Sequence, residues 1–211
     1  MRVAIIDYGS GNLRSVAKAL ERVADDPSSI RVTRSPDEVA VASHIVLPGV
    51  GAFADCMAGL KALPGMREAM SKQVLERGTP FLGICVGMQM LFERGHEHGT
   101  HEGLGWLRGE VMSLENRTDA PLKIPHMGWN ELRMTRPHPL LNGIRGGDHA
   151  YFVHSYHAQC GDAYDVLATT DYGQIVTAVV GRGNIMGTQF HPEKSQETGL
   201  QLLKNFLSMS S

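Results

Sequence analysis

The sequence predicts an α/β fold: a mostly parallel, open sheet with helices on both faces and antiparallel strands added at one edge. Short continuous apolar runs alternate with stretches of helical periodicity in the first part of the chain, and several of these runs stop at glycine-containing turns, as strands of βα units do. From about Leu104 to Val180 the helical periodicity fades, and short strand-like pieces separated by turns take its place.

The first apolar run, Val3 to Ile6, ends at Asp7-Tyr8-Gly9-Ser10-Gly11-Asn12. Leu13, Val16, Ala17, Leu20 and Val23 then recur at helical spacing, giving strand, turn and helix. Ile30 to Thr33 reads as a second strand, and Ile45 to Leu47 as a third that stops at Pro48-Gly49-Val50-Gly51. A helical stretch from about Met66 to Arg77 halts at Gly78, ahead of the strand Phe81 to Ile84. Leu104 to Leu107, Tyr151 to His154, Val166 to Thr169 and Ile175 to Val180 are the expected short strands of the second part. Ile185 to Gln189 is a last strand, and Leu200, Leu203, Phe206 and Leu207 mark one face of a closing helix. No repeat or linker interrupts the 211 residues, so one domain, 1–211, is expected.

Hydrophobic residues make up 42% of the chain and charged residues 20%, which is the composition of a folding globular protein. The formal charge of −2, with no long basic run, lacks the footprint of a nucleic-acid binder. The N-terminal apolar run is too short for a secretory signal, and no stretch approaches the roughly 18 apolar residues that span a bilayer. A cytoplasmic protein with no membrane partner is expected. Its three cysteines, Cys56, Cys85 and Cys160, are an odd number at wide spacing without a CxxC pair, which argues against a disulfide framework and leaves room for one reactive thiol.

Cys85 is the candidate. Gly83-Ile84-Cys85-Val86-Gly87 has a predicted strand before it and a helical run after it, the pattern of a nucleophile elbow. At such a turn small neighbours two residues to either side let strand and helix pack closely. The helix N-terminus favours a thiolate, and the N–H of the next residue, Val86, is available to an oxyanion. A buried packing cysteine is the other reading of the local pattern. A nucleophile needs a base, and among the ten histidines His191 stands out. The strand Ile185 to Gln189 runs into Phe190-His191-Pro192-Glu193, which places it at a strand end, where open parallel sheets build their sites. Pro192 keeps His191 extended, and Glu193 is close enough to orient its ring. Read alone, the segment is also compatible with a solvated turn.

Gly83-Ile84-Cys85-Val86-Gly87-Met88-Gln89 together with His191-Pro192-Glu193 resembles the triad, or class I, glutamine amidotransferases, over essentially the whole chain in motif order. Pro48-Gly49-Val50-Gly51-Ala52-Phe53, Lys123-Ile124-Pro125-His126-Met127-Gly128-Trp129-Asn130 and Tyr151-Phe152-Val153-His154-Ser155-Tyr156 are similar to the branch of that family that serves imidazole glycerol phosphate synthases in histidine biosynthesis. The resemblance implies that Cys85 attacks the side-chain amide of glutamine, that His191 moves the protons and that Glu193 orients His191, with a thioester as intermediate. Val86 N–H is then one oxyanion donor, and the second comes from Gly49, Val50 and Gly51, where a peptide flip driven by a partner is the expected switch. Gln89, Glu97, His154, Ser155 and Tyr156 match positions at the amino-acid end of glutamine. Gly95 stands where the resemblance leads one to expect serine. Asn12, Lys123, Trp129 and Asn130 belong to motifs that serve docking. Because a (β/α)8 barrel needs about 250 residues, the cyclase that accepts the ammonia must be a separate chain, in a one-to-one heterodimer. No cofactor and no metal are called for.

Other readings are weaker. Gly9-Ser10-Gly11 lacks the third glycine of a dinucleotide loop, where Arg14 stands, and no acid ends the next strand. His96, His98 and His101 have no second ligand cluster at metal-site spacing. A stand-alone cysteine hydrolase of γ-glutamyl substrates shares the elbow but works without a partner. A non-catalytic binding subunit on the same sheet has no need of Cys85, His191 and Glu193 together.

Overall fold

In the computed structural model, residues 1–114 and 122–210 are described. The chain opens with β1 (Val3–Ile6), α1 (Leu13–Val23), β2 (Ile30–Thr33), the short α2 (Pro36–Ala40) and β3 (His44–Gly49). Helices α3 (Phe53–Lys61) and α4 (Met66–Ser71) lead to β4 (Phe81–Cys85) and the one-turn helix α5 (Val86–Gln89). The strands β1, β2, β3 and β4 lie parallel, in the order β2-β1-β3-β4. Every residue of β1, β3 and β4 is buried. That pattern explains why these strands read as unbroken apolar runs: both faces of the sheet are covered, so alternation has no role. The helices form two packed groups, α1 against α6 (Gln196–Leu207), and α3 against α4 and α5.

The second part supplies β5 (Arg94–Gly95), β6 (His101–Glu102), β7 (Gly109–Ser113), β8 (His126–Glu131), β9 (Arg133–Met134), β10 (His149–His154), β11 (Tyr156–Cys160), β12 (Val166–Asp171), β13 (Ile175–Arg182) and β14 (Ile185–Thr188). Strand β14 pairs parallel with β4; then β13, β12 and β9 extend the same sheet antiparallel, completing eight strands. These are the edge additions the sequence predicts. Two small sheets stand apart from that edge, β10 with β8, and β11-β7-β5-β6. The β10–β8 ladder closes over the C-terminal end of β4, where Cys85 ends the strand.

Leu104 to Leu107, expected as a strand, is irregular in the structure. Its N–H groups donate to the carbonyls of Met90, Phe92 and Leu91 just after α5, so the segment is a strap across that turn, and Leu107 is buried without joining a ladder. Gly103 comes so close to the Phe92 carbonyl that a side chain there has no room. Helix α3, which the sequence reading passed over, buries Phe53, Cys56, Met57 and Leu60. Phe53, Phe81, Phe92, Phe152, Phe190 and Phe206 are all fully buried, each worth about 1.5–3 kcal/mol relative to exposure. Between them they link the sheet, the helices and the β10 wall into one core.

Candidate active site

At Cys85 the backbone leaves β4 with φ 55° and ψ −112° and enters α5. A non-glycine residue held there stores about 1–3 kcal/mol of strain, which persists only where neighbours force it. The neighbours are Gly83 and Gly87. A Cβ on Gly87 would overlap the carbonyl of Leu47 in β3, and a Cβ on Gly83 would press into the Gly87 backbone. Both glycines of the motif are therefore required by close approach, and the elbow is tied to the adjacent strand. The Cys85 residue is only 3% exposed. Its sulfur accepts from Gln189 Nε2 at 3.7 Å and lies 3.9 Å from the Val153 carbonyl of β10.

His191 follows β14 in extended conformation, φ −94° and ψ 100°, as the residue before a proline should be. Its N–H donates to the Tyr151 carbonyl at 3.0 Å, and Ser195 Oγ donates to its own carbonyl at 2.7 Å, so the backbone is anchored to β10 and to the start of α6. The ring's Nδ1 is 2.8 Å from Glu193 Oε1, and both side chains are almost fully buried. A carboxylate can only accept, so Nδ1 carries a proton and Nε2 is the working nitrogen. Among the described residues no hydrogen bond of ordinary length reaches Nε2. Burial alone would lower the pKa of His191, but the nearby Cys85 sulfur and the Glu193 carboxylate outweigh it and raise it to about 9. An imidazole so placed can hold a proton taken from the neighbouring thiol, which is what an attacking sulfur would need.

One cavity of about 300 Å³ gathers the site: Val50, Gly51, Cys85, Val86, Gln89, Glu97, Pro125, Val153, His154, Ser155, Tyr156 and His191. Every residue expected at the amino-acid end of glutamine is in this lining. Glu193 stands behind His191, and Gly49 pairs with Cys85 across β3 and β4. Two residues that the sequence reading missed also belong here. Gln189 is fully buried, donates to the Cys85 sulfur and accepts from Gln89 Nε2 at 3.1 Å; its place on the last strand gave only an apolar-run signal. Pro125 lines the same cavity.

The two peptides that flank Val50 are engaged elsewhere. The Val50 N–H donates to Ser10 Oγ at 3.3 Å, and its carbonyl accepts from Ser10 Oγ at 2.5 Å and from the Cys56 sulfur at 3.4 Å. Tyr8 Oη holds the Pro48 carbonyl at 2.7 Å. Of the two oxyanion donors expected, Val86 N–H begins α5 beside the sulfur, whereas Val50 N–H is occupied by Ser10.

Glu97 caps helix α3 with one oxygen: its Oε2 accepts the Phe53 N–H, the first of that helix, at 2.7 Å. A carboxylate is favourable at such a terminus. This bond ties Glu97 to the segment that follows Gly51. The serine expected at position 95 would not fit, because a Cβ there comes within 2.7 Å of the Phe53 ring. Gly95 is thus the counterpart of Phe53. His96, set aside as a metal ligand, bonds to Thr100 and Glu110, and among the described residues no metal-binding cluster is found.

Asn12, half-buried, sits at the start of α1. Lys123 is exposed, and Trp129 is 47% exposed with its ring against Tyr151 at 5.9 Å. Trp129 is therefore a surface residue and not part of the core. Asn130 is half-buried and points back toward His126.

A family profile described as glutamine amidotransferase class-I matches residues 4–209. The chain is 56% identical to the imidazole glycerol phosphate synthase subunit HisH of Agrobacterium fabrum and 57% identical to that of Brucella suis biovar 1, each comparison covering 98% of both chains. The protein of the same name from Rhodospirillum rubrum is 56% identical over 211 residues, again with 98% of both covered. Among solved structures, PurLQS from Thermotoga maritima superposes with a TM-score of 0.72 at 21% identity, covering 98% of this chain and 97% of that one. A glutamine amidotransferase structure gives 0.72 at 20% identity, with 98% and 99% covered. These two likenesses confirm the fold. With a profile match over nearly its whole length and near-identical-length relatives above half identity, this chain belongs to the class I glutamine amidotransferase family.

Proposed function

We propose that the chain is the glutaminase subunit of an imidazole glycerol phosphate synthase. Its full-length relatives at 55–57% identity carry that subunit's name, and the observation that carries the reading is a buried cysteine at an elbow sharing one cavity with a His–Glu pair. In this mechanism the proton of Cys85 passes to His191 Nε2 and the sulfur attacks the glutamine amide carbon. The tetrahedral intermediate places its oxyanion toward Val86 N–H. His191, steadied by Glu193, gives the proton to the departing nitrogen, and ammonia leaves with the glutamyl group held as a thioester on Cys85. Water, losing a proton to His191, then releases glutamate. Gln89, Glu97, His154, Ser155 and Tyr156 hold the amino-acid end of the substrate, with Glu97 supplying a carboxylate for its ammonium.

The second oxyanion donor is the Gly49–Val50–Gly51 segment after its peptide turns from Ser10 to the cavity. Docking of the partner supplies that turn. The partner is a separate cyclase of the (β/α)8 class, which receives the ammonia and makes imidazole glycerol phosphate in histidine biosynthesis. Asn12, Lys123, Trp129 and Asn130 belong to its docking surface, and residues 1–211 act as a single domain in the cytoplasm. No helix among the described residues is long and apolar enough to cross a membrane.

The test is glutamate release by the purified chain, alone and mixed with a barrel cyclase and its aminoimidazole carboxamide nucleotide substrate. Slow release alone and strong stimulation in the mixture support the coupled subunit. Full activity alone, indifferent to the cyclase, points to an independent hydrolase and removes the partner.

A further inference from the structure

Behind the His154 and Tyr156 wall of the cavity lies a chain of polar groups whose links to His126 and Asn130 the proposed mechanism does not use. In the β10–β8 ladder His126 stands directly opposite His154. His126 Nδ1 is 2.9 Å from His154 Nε2, and His154 Nδ1 is 2.9 Å from the Tyr156 carbonyl. At the other end Asn130 Nδ2 is 3.2 Å from His126 Nε2 and 2.8 Å from the Asp171 carbonyl, while its Oδ1 accepts the Glu131 N–H at 2.8 Å.

These contacts allow one arrangement of protons. The Tyr156 carbonyl can only accept, so His154 carries its proton on Nδ1 and offers a lone pair at Nε2. His126 must then donate from Nδ1, which leaves its Nε2 as an acceptor for Asn130. The Asn130 amide cannot be reversed, because its oxygen is fixed by the Glu131 N–H and its nitrogen by the Asp171 carbonyl. The three bonds that link Asn130, His126, His154 and the Tyr156 carbonyl all point inward, from the half-buried Asn130 to the wall of the cavity.

The surroundings favour this neutral state. His126 is sandwiched between the rings of Phe152 and Tyr172, at 4.8 Å and 4.0 Å. Burial lowers the pKa of His126 to about 4, and burial, with His126 next in effect, lowers that of His154 to about 3. The chain ends where it matters to substrate: His154 and Tyr156 line the cavity, the Tyr156 carbonyl also accepts Gln89 Nε2 at 3.0 Å, and the neighbouring Val153 carbonyl lies against the Cys85 sulfur.

We infer that His126 and Asn130 are positioning residues of the glutaminase reaction: their one-way hydrogen-bond chain fixes His154 and the Tyr156 carbonyl in the wall that receives the amino-acid end of glutamine. The inference rests on the proposed function for its substrate, and on the tautomers alone for its geometry. Losing one link leaves a buried polar group unmatched, a penalty that corresponds to a KM increase on the order of tenfold.

The test joins nitrogen NMR of the histidine rings to glutaminase kinetics on the full chain with its partner. In the wild type both His126 and His154 should be protonated at Nδ1. Asn130→Asp puts an acceptor where the donor was, which should move the His126 proton to Nε2 and raise KM for glutamine about tenfold at saturating partner. His126→Phe keeps the stack on Phe152 and Tyr172 while removing both nitrogens, and should raise KM likewise. Rings protonated at Nε2 in the wild type would overturn the inference, as would variants that only melt earlier with KM unchanged. A wild type that releases no glutamate under any condition would instead remove the proposed function, while the NMR reading still decides the relay.

Discussion

Ser10→Ala should switch on part of the glutaminase activity without a partner. In the structure Ser10 Oγ accepts the Val50 N–H at 3.3 Å and donates to the Val50 carbonyl at 2.5 Å. The first bond is long and the second short, and Val50 is 42% exposed, so water can take up both groups once the hydroxyl is gone. The net loss to the resting arrangement is about 1–2 kcal/mol. The Cys56 sulfur still reaches the Val50 carbonyl at 3.4 Å, which keeps the segment from simply fraying. If the orientation that turns Val50 N–H to the cavity is a minor state, removing that much stability from the major one raises its population about 5–30-fold. Glutamate release by the isolated chain should rise by about fivefold or more, whereas the partner-stimulated rate, already drawn from the turned state, should change by less than about twofold. An unchanged or lower basal rate, in a variant with unaltered thermal unfolding, would refute the role given to Ser10 and with it the idea that the Gly49–Val50 peptide limits the resting enzyme.

Gly95→Ser should cost about 1–3 kcal/mol in thermal or denaturant unfolding, because the added Cβ meets the Phe53 ring at about 2.7 Å. The same variant should raise KM for glutamine by displacing the α3 terminus that Glu97 caps; an unperturbed melt would contradict it. Glu193→Gln removes one of the groups that keep the His191 pKa at about 9. A raised pKa stabilises the fold fully below the ordinary imidazole value of about 6.5, and that stabilisation is lost as pH rises through about 9. Wild-type stability should therefore decline across that window and the variant's should decline less, with equal slopes as the contrary result. Trp129→Ala, at a surface position, should leave the melting temperature within a few degrees and abolish stimulation by the cyclase; a cooperative loss of fold would place the ring in the core after all.

The parts of the fold that could be read in the sequence are those whose strands are buried on both faces. Val3–Ile6 and Phe81–Cys85 show as apolar runs because no residue in them faces water. Strands β7 and β8 escaped notice because Gly109–Ser113 and His126–Glu131 mix polar, glycine and apolar residues without a clean period, β7 burying only Val111 and β8 exposing every second residue. Leu104–Leu107 misled for the opposite reason: apolar content there reflects burial of Leu107 as part of a strap, with no ladder to join. In the site, the elbow was legible because its glycines have a steric cause, and His191 because a strand delivers it. Ser10 and Gln189 carried no local signal of a role, and the segment holding His126 and Asn130 was read for docking and not for their link to His154. Their roles arise from residues brought together by pairing across the sheet, at sequence separations of 40, 104 and 28 for the Val50, Cys85 and His154 contacts.

The most direct measurement is intact-mass and peptide-level mass spectrometry of the chain, with its partner, acid-quenched during turnover of glutamine. A glutamyl adduct on the peptide containing Cys85, absent from those containing Cys56 and Cys160 and lost together with glutamate release in Cys85→Ala, is the predicted result. An adduct on another residue, or glutamate release by Cys85→Ala at the wild-type rate, would contradict covalent catalysis at the elbow.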